Sequence, residues 1–300
     1  MTKMNQYDMG RAFEYGIASQ IMNSIPTKIL ENSSMQVAKE CFNKMSENEK
    51  QKINRASKAA IEFLISKDNF FNNDYLEIQI QSDQTGKSGD VRDILIKNNS
   101  SQTEIGISAK NRHYAVKHSR LSESINFGRD WFGLDCSKEY FENITPIFTE
   151  LRELKIKGIK WRDIPNKKIN YYEPILKAFS KEMTKLYQQD PLQLANGILR
   201  YLLGAYDFYK IIKENGSVTI ISFNLNGNLN WGPKLPIPNR LIEISMKENS
   251  DTTLLMIFDK GWQISFRIHN ASTIVEPSLK FDIEPVGFPS NLSRHIIEYS

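Results

Sequence analysis

The chain has 300 residues, 40% of them apolar and 25% charged, with a formal net charge of +4. That composition is ordinary for a globular protein and excludes a largely disordered chain, and it is long enough to bury a substantial core. Two cysteines without a CxxC pair exclude a cysteine-ligated zinc site and a disulfide framework, and they suit a reducing compartment.

The N-terminus lacks the apolar run and small-residue cleavage site of a secretory signal. No later apolar run approaches the roughly 20 residues that span a bilayer, so a cytoplasmic protein is expected. The first seventy residues read as helical. Met9, Phe13, Ile17 and Ile21 recur every four residues, and a second helical region runs from about Ser34 to Ser66 after a break at Pro26.

The period then changes to two. Leu76, Ile78 and Ile80 alternate with polar residues as in a half-exposed strand. Asp93-Ile-Leu-Ile is a short strand, Asn98-Asn-Ser-Ser a turn, and Glu104 to Lys110 the returning strand. With the turn near Ser100 and Ser101, Asp93 falls opposite Ser108, and Ser108 and Lys110 share a face. From Lys110 to Arg120 the chain carries Lys110, Arg112, Lys117, Arg120, His113 and His118 with no acid. Such a run is usually a solvated face, but here it starts at a lysine that can meet Asp93.

Helical patterns return between Ser137 and about Glu214, including Tyr172 to Gln189 and Leu192 to Lys213. Strands are then expected at 218–224, 241–246, 253–258, 262–269 and 279–283. Trp262, Ile264, Phe266 and Ile268 alternate with Gln263, Ser265, Arg267 and His269. This gives one apolar face and one polar, basic face that Lys280 can join. Arg267, His269, Asn270 and Lys280 are therefore candidates for DNA bases or phosphates, with an ordinary polar sheet face as the plain alternative. The expected division is a region of N-terminal helices and the Asp93–Lys110 hairpin over 1–136, a helical region over 137–215 and a β-rich portion over 216–300, forming one compact unit.

Phosphodiester hydrolysis needs a cation on the phosphate and an oriented, activated water. Carboxylates hold magnesium through hard oxygen ligands. A lysine can orient the water or stabilise charge, and burial can lower its pKa enough for proton transfer. Asp93 is the preferred acid and Asp90 its rival, with Lys110 as the partner.

This hairpin resembles the PD-(D/E)XK nuclease superfamily, whose pattern is an acid on one strand and acid-x-lysine on the next. It departs from the pattern at Ser108, where a second acid is expected. Some restriction endonucleases of the superfamily take that carboxylate from a following helix, and Glu123 stands twelve intervening residues after Lys110. A further acid often sits on the N-terminal helix, which makes Glu14, in Gly10-Arg-Ala-Phe-Glu-Tyr-Gly-Ile-Ala, a candidate ligand. Longer blocks resemble the HaeIII-type restriction endonucleases: Gly89-Asp-Val-Arg-Asp, Ile107-Ser-Ala-Lys-Asn-Arg-His, Val116-Lys-His-Ser-Arg-Leu-Ser, Phe266-Arg-Ile-His-Asn-Ala-Ser and Glu276-Pro-Ser-Leu-Lys-Phe-Asp.

The resemblance implies an α/β fold with a mixed central sheet flanked by helices and a β-rich C-terminal portion. It also implies a type II enzyme that cuts double-stranded DNA at a short palindrome, GGCC in the named member, using Mg2+. Asp93, Glu123 and the carbonyl of Ala109 would hold the metal, with Glu14 or Asp90 completing the site. Arg112, His113, Lys117, His118, Arg120, Arg267, His269, Asn270 and Lys280 would contact DNA. A cognate DNA methyltransferase as functional partner is implied as well; a palindromic site favours a homodimer, with a monomer that cuts each strand in turn as the alternative. The rival reading is a DNA-binding protein with a degenerate nuclease fold, in which Ser108 marks a lost acid.

Overall fold

A computed structural model describes residues 5–72, 75–82, 90–112 and 117–299. Its contacts divide the chain into two units. One comprises Met1–Tyr114, Leu203–Pro236 and Asn291–Ser300; the other comprises Ala115–Leu202 and Ile237–Ser290. The limits of these units do not coincide with the expected borders after 136 and 215, because each sheet takes its strands from distant parts of the sequence.

The first unit is built on a seven-stranded mixed sheet in the order β1-β2-β3-β4-β6-β7-β12. Its strands are β1 (Thr27–Ile29), β2 (Leu76–Ile80), β3 (Ile94–Asn98), β4 (Thr103–Asn111), β6 (Phe208–Lys213), β7 (Ser217–Phe223) and β12 (Arg294–Glu298). β3 and β4 form the expected hairpin, with Ile94 opposite Ile107, so Asp93 falls opposite Ser108. The turn is fixed by Asn98, whose Oδ1 accepts from the backbone N–H groups of Ser100 and Ser101.

Among the described residues, this unit holds α1 (Gln6–Ser24), α2 (Ser33–Asn43) and α3 (Glu47–Lys67). The single region expected from Ser34 to Ser66 is interrupted by a capping box, in which Ser46 and Glu49 satisfy each other's backbone N–H. Phe13, Ile17 and Ile21 of α1 pack with Ile61 and Leu64 of α3 against Ile78, Ile94, Ile96, Ile105, Ile107 and Ile211 of the sheet. Each fully buried side chain of this size contributes about 1.5–3 kcal/mol, and this packing fixes α1 against β4.

β6 corrects the sequence reading, which carried a helix to Lys213. The helix α7 (Pro191–Leu203) stops at Gly204, whose φ of +78° suits a helix terminus, and the chain resumes as a strand. Phe-Tyr-Lys-Ile-Ile-Lys is aromatic and β-branched, and it lies parallel to β4 with Ser108 beside Lys210. Its parallel pairing with β4, like that of β1 with β2, makes the sheet mixed, the other pairs being antiparallel.

The second unit holds an antiparallel sheet in the order β5-β11-β10-β9-β8. These strands are β5 (Lys117–Leu121), β8 (Leu241–Met246), β9 (Thr253–Phe258), β10 (Gln263–His269) and β11 (Leu279–Gly287). Its helices are α4 (Phe127–Phe132), α5 (Lys138–Ile156), α6 (Glu173–Gln189) and most of α7. Phe179 of α6 lies 4.9 Å, ring to ring, from Phe281 and 5.5 Å from Phe266, so the apolar sheet face is covered by helices. The other face is polar. No helix among the described residues is long and apolar enough to cross a membrane.

Candidate active site and nucleic-acid surface

Asp93 stands just before β3, yet the ladder runs through it. Its N–H donates to Ile107 O at 2.8 Å, and its carbonyl accepts from Gln81 N at 2.8 Å. Past this point β4 has no strand partner on that side among the described residues, and the Asp93 carboxylate takes over. Its Oδ2 accepts from Ala109 N at 2.7 Å, from Ser108 Oγ at 3.1 Å and from Lys110 Nζ at 2.9 Å. In an extended strand the N–H and C=O of one residue point to the same side, so the Ala109 carbonyl is directed toward this carboxylate as well.

Glu14 enters from α1. It is buried, its Oε2 accepts from Arg11 Nη1 at 2.8 Å, and Arg11 also reaches Gln81 O at 3.4 Å. Burial, and after it the charge of Asp93, push the Glu14 carboxyl up to about 8 against the opposing pull of Arg11 and Lys110. Two carboxylates close enough to repel each other, with a backbone carbonyl beside them, make a hard-oxygen set that suits magnesium. Arg11 and Lys110 supply the compensating positive charge. Among the described residues no ready-made group of three or more His, Cys, Asp or Glu ligands occurs, so any metal site here includes the Ala109 carbonyl or water.

Burial works against the ammonium of Lys110, but the charge and hydrogen bond of Asp93, with help from Glu14, hold it above its ordinary pKa. The expectation of a lowered pKa is therefore corrected: Lys110 is a cation here, suited to orienting and charge stabilisation rather than to accepting a proton. Ser108 is a donor to Asp93 and not a substitute acid.

Asp90 is placed differently from its expected role. Its oxygens accept from Arg92 Nε at 2.8 Å, Arg92 Nη2 at 2.7 Å and Gln81 Nε2 at 3.0 Å. Burial opposes ionisation, yet the Arg92 and Gln81 hydrogen bonds hold the Asp90 carboxyl below its usual range. It is committed to an ion pair that runs on to Glu104 at 2.8 Å. Glu123 departs from its expectation too. It sits in a turn ahead of α4 and not on a helix, it belongs to the second unit, and it pairs with Arg152.

On the polar face of the second unit, register brings the basic residues into rows. Lys280 pairs with Arg120 on one side and His269 on the other; Asp282 pairs with His118 and Arg267 in the same way. The sequence separates His118 and Arg120 from the other four by more than a hundred positions. Arg267 and Arg120 are exposed. Asp282 was not anticipated: its Oδ1 meets His118 Nδ1 at 2.7 Å and its Oδ2 meets Arg267 Nη2 at 2.5 Å. Burial opposes its ionisation, but Arg267 and the histidines hold its carboxyl far below the usual range.

The HaeIII restriction endonuclease family model matches residues 10–289. The chain belongs to the HaeIII restriction endonuclease family. It is also 41% identical over 304 aligned residues to Type II restriction enzyme HaeIII of Haemophilus aegyptius, across 95% of each chain. As a HaeIII-family restriction endonuclease it is a hydrolase that acts on DNA.

Not every residue expected at the DNA surface of this HaeIII-family chain shares one place. Arg112 follows β4 in the first unit with φ +56°, and its guanidinium bonds Asn215. Lys117 pairs with Ile283, so its register position alternates with His118 and Arg120. Asn270 lies beyond β10 with its amide committed at both ends, to Tyr172 Oη at 3.1 Å and Ser272 O at 2.8 Å. His113 lies outside the described residues. Arg11 and Gln81, missed in the sequence, had only a faint signal: Arg11 precedes Glu14 by three residues on one helix, the spacing of an ion pair.

Proposed function

We propose that this chain is a magnesium-dependent type II restriction endonuclease of the PD-(D/E)XK kind that cuts double-stranded DNA at a short palindrome, GGCC. The observation that carries this reading is the convergence of Ser108, Ala109 and Lys110 on one oxygen of Asp93, with Glu14 beside them. Family membership and the named relative support it.

Asp93, Glu14 and the Ala109 carbonyl would hold the ion within the first unit. Glu123, proposed on its spacing from Lys110, is the rival carboxylate. Magnesium, when bound, supplies charge neutralisation at the phosphate and acidifies the attacking water. Lys110, held as an ammonium, orients that water and stabilises the charge that grows on the phosphoryl oxygens. Ser108 and the Ala109 N–H fix the Asp93 carboxylate so that it does not reorient as charge develops. Water attacks in line, the P–O3′ bond breaks, and the products carry 5′-phosphate and 3′-hydroxyl ends.

Arg120, Arg267, His118, His269 and Lys280 form a basic face for the DNA, since cationic groups neutralise phosphates and arginine or lysine pairs with guanine edges. A palindromic target favours a two-fold homodimer. A cognate DNA methyltransferase protects host sites, and the enzyme works in the cytoplasm.

Incubating the purified chain with plasmid in magnesium or in EDTA tests this directly. Discrete fragments in magnesium alone, with ends mapping to GGCC, are the expected result. DNA that is bound but intact in both conditions would instead favour a degenerate nuclease fold.

A further inference from the structure

The polar face of the second sheet carries a group that its proposed task does not call for. Arg120, His118, Lys280, His269 and Arg267 all favour a polyanion, yet Asp282 stands among them on the central row. A carboxylate facing DNA phosphates weakens attraction. Its contacts point to what it does in exchange. Asp282 is largely covered, with its side chain 13% exposed, whereas Arg267 beside it is 61% exposed. Oδ2 takes Nη2 of Arg267 at 2.5 Å, and Oδ1 takes Nδ1 of His118 at 2.7 Å. His269 places Nε2 3.1 Å from Oδ1, without the alignment of a hydrogen bond, while its Nδ1 faces the Asn270 carbonyl at 2.9 Å.

That last contact fixes the chemistry of His269. A carbonyl only accepts, so Nδ1 donates to it, and the ring is held with its Nε2 edge toward Asp282. One carboxylate thereby organises three cationic or donor side chains from two flanking strands. An exposed arginine otherwise samples many rotamers and loses that freedom on binding. Arg267 is tied by one nitrogen, which fixes the rotation of its fork and leaves other N–H groups of the guanidinium to meet a base edge.

We propose that Asp282 is a positioning residue for sequence discrimination: it presets Arg267, with His118 and His269, for reading bases, at the expense of non-specific attraction. This rests on the reading of the face as a DNA surface. It predicts effects of opposite sign on two kinds of DNA, which neither a structural role nor a purely electrostatic one gives.

The test uses the full chain, calcium in place of magnesium so that DNA is bound without being cut, and two short duplexes of equal composition. One contains the sequence mapped from the enzyme's own fragments and the other has it scrambled. Fluorescence anisotropy then gives both affinities for wild type and Asp282→Asn. Affinity for the scrambled duplex should rise by about two- to threefold as a negative charge is lost. Affinity for the target should fall by about tenfold, the scale of one good base contact.

Equal rises on both duplexes would leave Asp282 a mere charge and overturn the proposal, and equal falls with a lowered melting temperature would make it structural. Arg267→Lys provides a second route should Asp282→Asn fold poorly. It keeps the charge but not the planar fork, so discrimination should fall while scrambled-duplex affinity holds; unchanged discrimination would overturn the proposal. If Arg267→Ala leaves both affinities unaltered, the DNA surface itself is wrong. If Arg267→Ala weakens both while Asp282→Asn preserves their ratio, only the positioning claim fails.

Discussion

The ammonium of Lys110 lies 2.9 Å from Oδ2 of Asp93, across 17 positions of sequence, on the hairpin that the turn at Asn98 sets in register. Both side chains also act on Glu14, which ties the hairpin electrostatically to α1.

Replacing Lys110 with Met or Asp93 with Asn should lower the rate of DNA cleavage by about 10²-fold or more, the scale of losing a positioned proton-transfer or charge-stabilising group. DNA affinity should change little. Single-turnover cleavage and anisotropy on the same protein check both; a Lys110→Met variant that cuts at the wild-type rate removes the lysine from the chemistry.

Glu14 yields a pH prediction. Its folded pKa of about 8 lies above the ordinary 4.5, so the folded state binds this proton more tightly than the unfolded one. The stability it contributes is present below about pH 4.5 and is lost as pH rises through about 8. In EDTA, Glu14→Gln should therefore melt at increasingly higher temperature than wild type as pH goes from about 5 to about 9. Magnesium should narrow that gap at high pH, because it stabilises the ionised wild-type carboxylate and not the amide. Thermal denaturation at several pH values reads both.

The same pair of candidate ligands can be separated by metal titration. Glu14→Gln should raise the magnesium concentration for half-maximal cutting by about tenfold or more. Glu123→Gln should leave it near the wild-type value. The reverse order would transfer the ligand role to Glu123.

Gly106 lets the Arg92 side chain cross β4: a Cβ there would stand 2.0 Å from Arg92 Cδ and 2.5 Å from Cγ. Arg92 cannot swing away cheaply, being held by Asp90, Glu104 and the Tyr206 ring at 3.9 Å. Gly106→Ala should destabilise the fold by about 1–3 kcal/mol, read by denaturant unfolding.

Arg267→Ala and Lys280→Ala should each weaken DNA binding and reduce the slope of log affinity against log salt by about 1 if each contacts a phosphate. An unchanged slope for either would remove that residue from phosphate contact.

Local pattern carried a good part of this protein. The four-residue stripe of Phe13, Ile17 and Ile21, the Asn98 turn and the alternation of β10 all follow from residues near in sequence, because a helix or a hairpin is closed by its own neighbours. That was enough to bring Asp93 opposite Ser108 and to put Ser108 and Lys110 on one face. The family was legible as well, since its blocks are continuous stretches of chain.

What tertiary structure alone decided is whatever depends on partners brought from afar. Phe208–Lys213 became a strand because β4 offered an edge, although its residues come shortly after a helix. Asp90 was committed to Arg92 and Gln81, Glu14 was buried beside Asp93, and Asp282 was set between His118 and Arg267. The physical reason is that a carboxylate's role is set by the charges and the solvent around it, and those come from strands and helices that spacing along the chain does not specify.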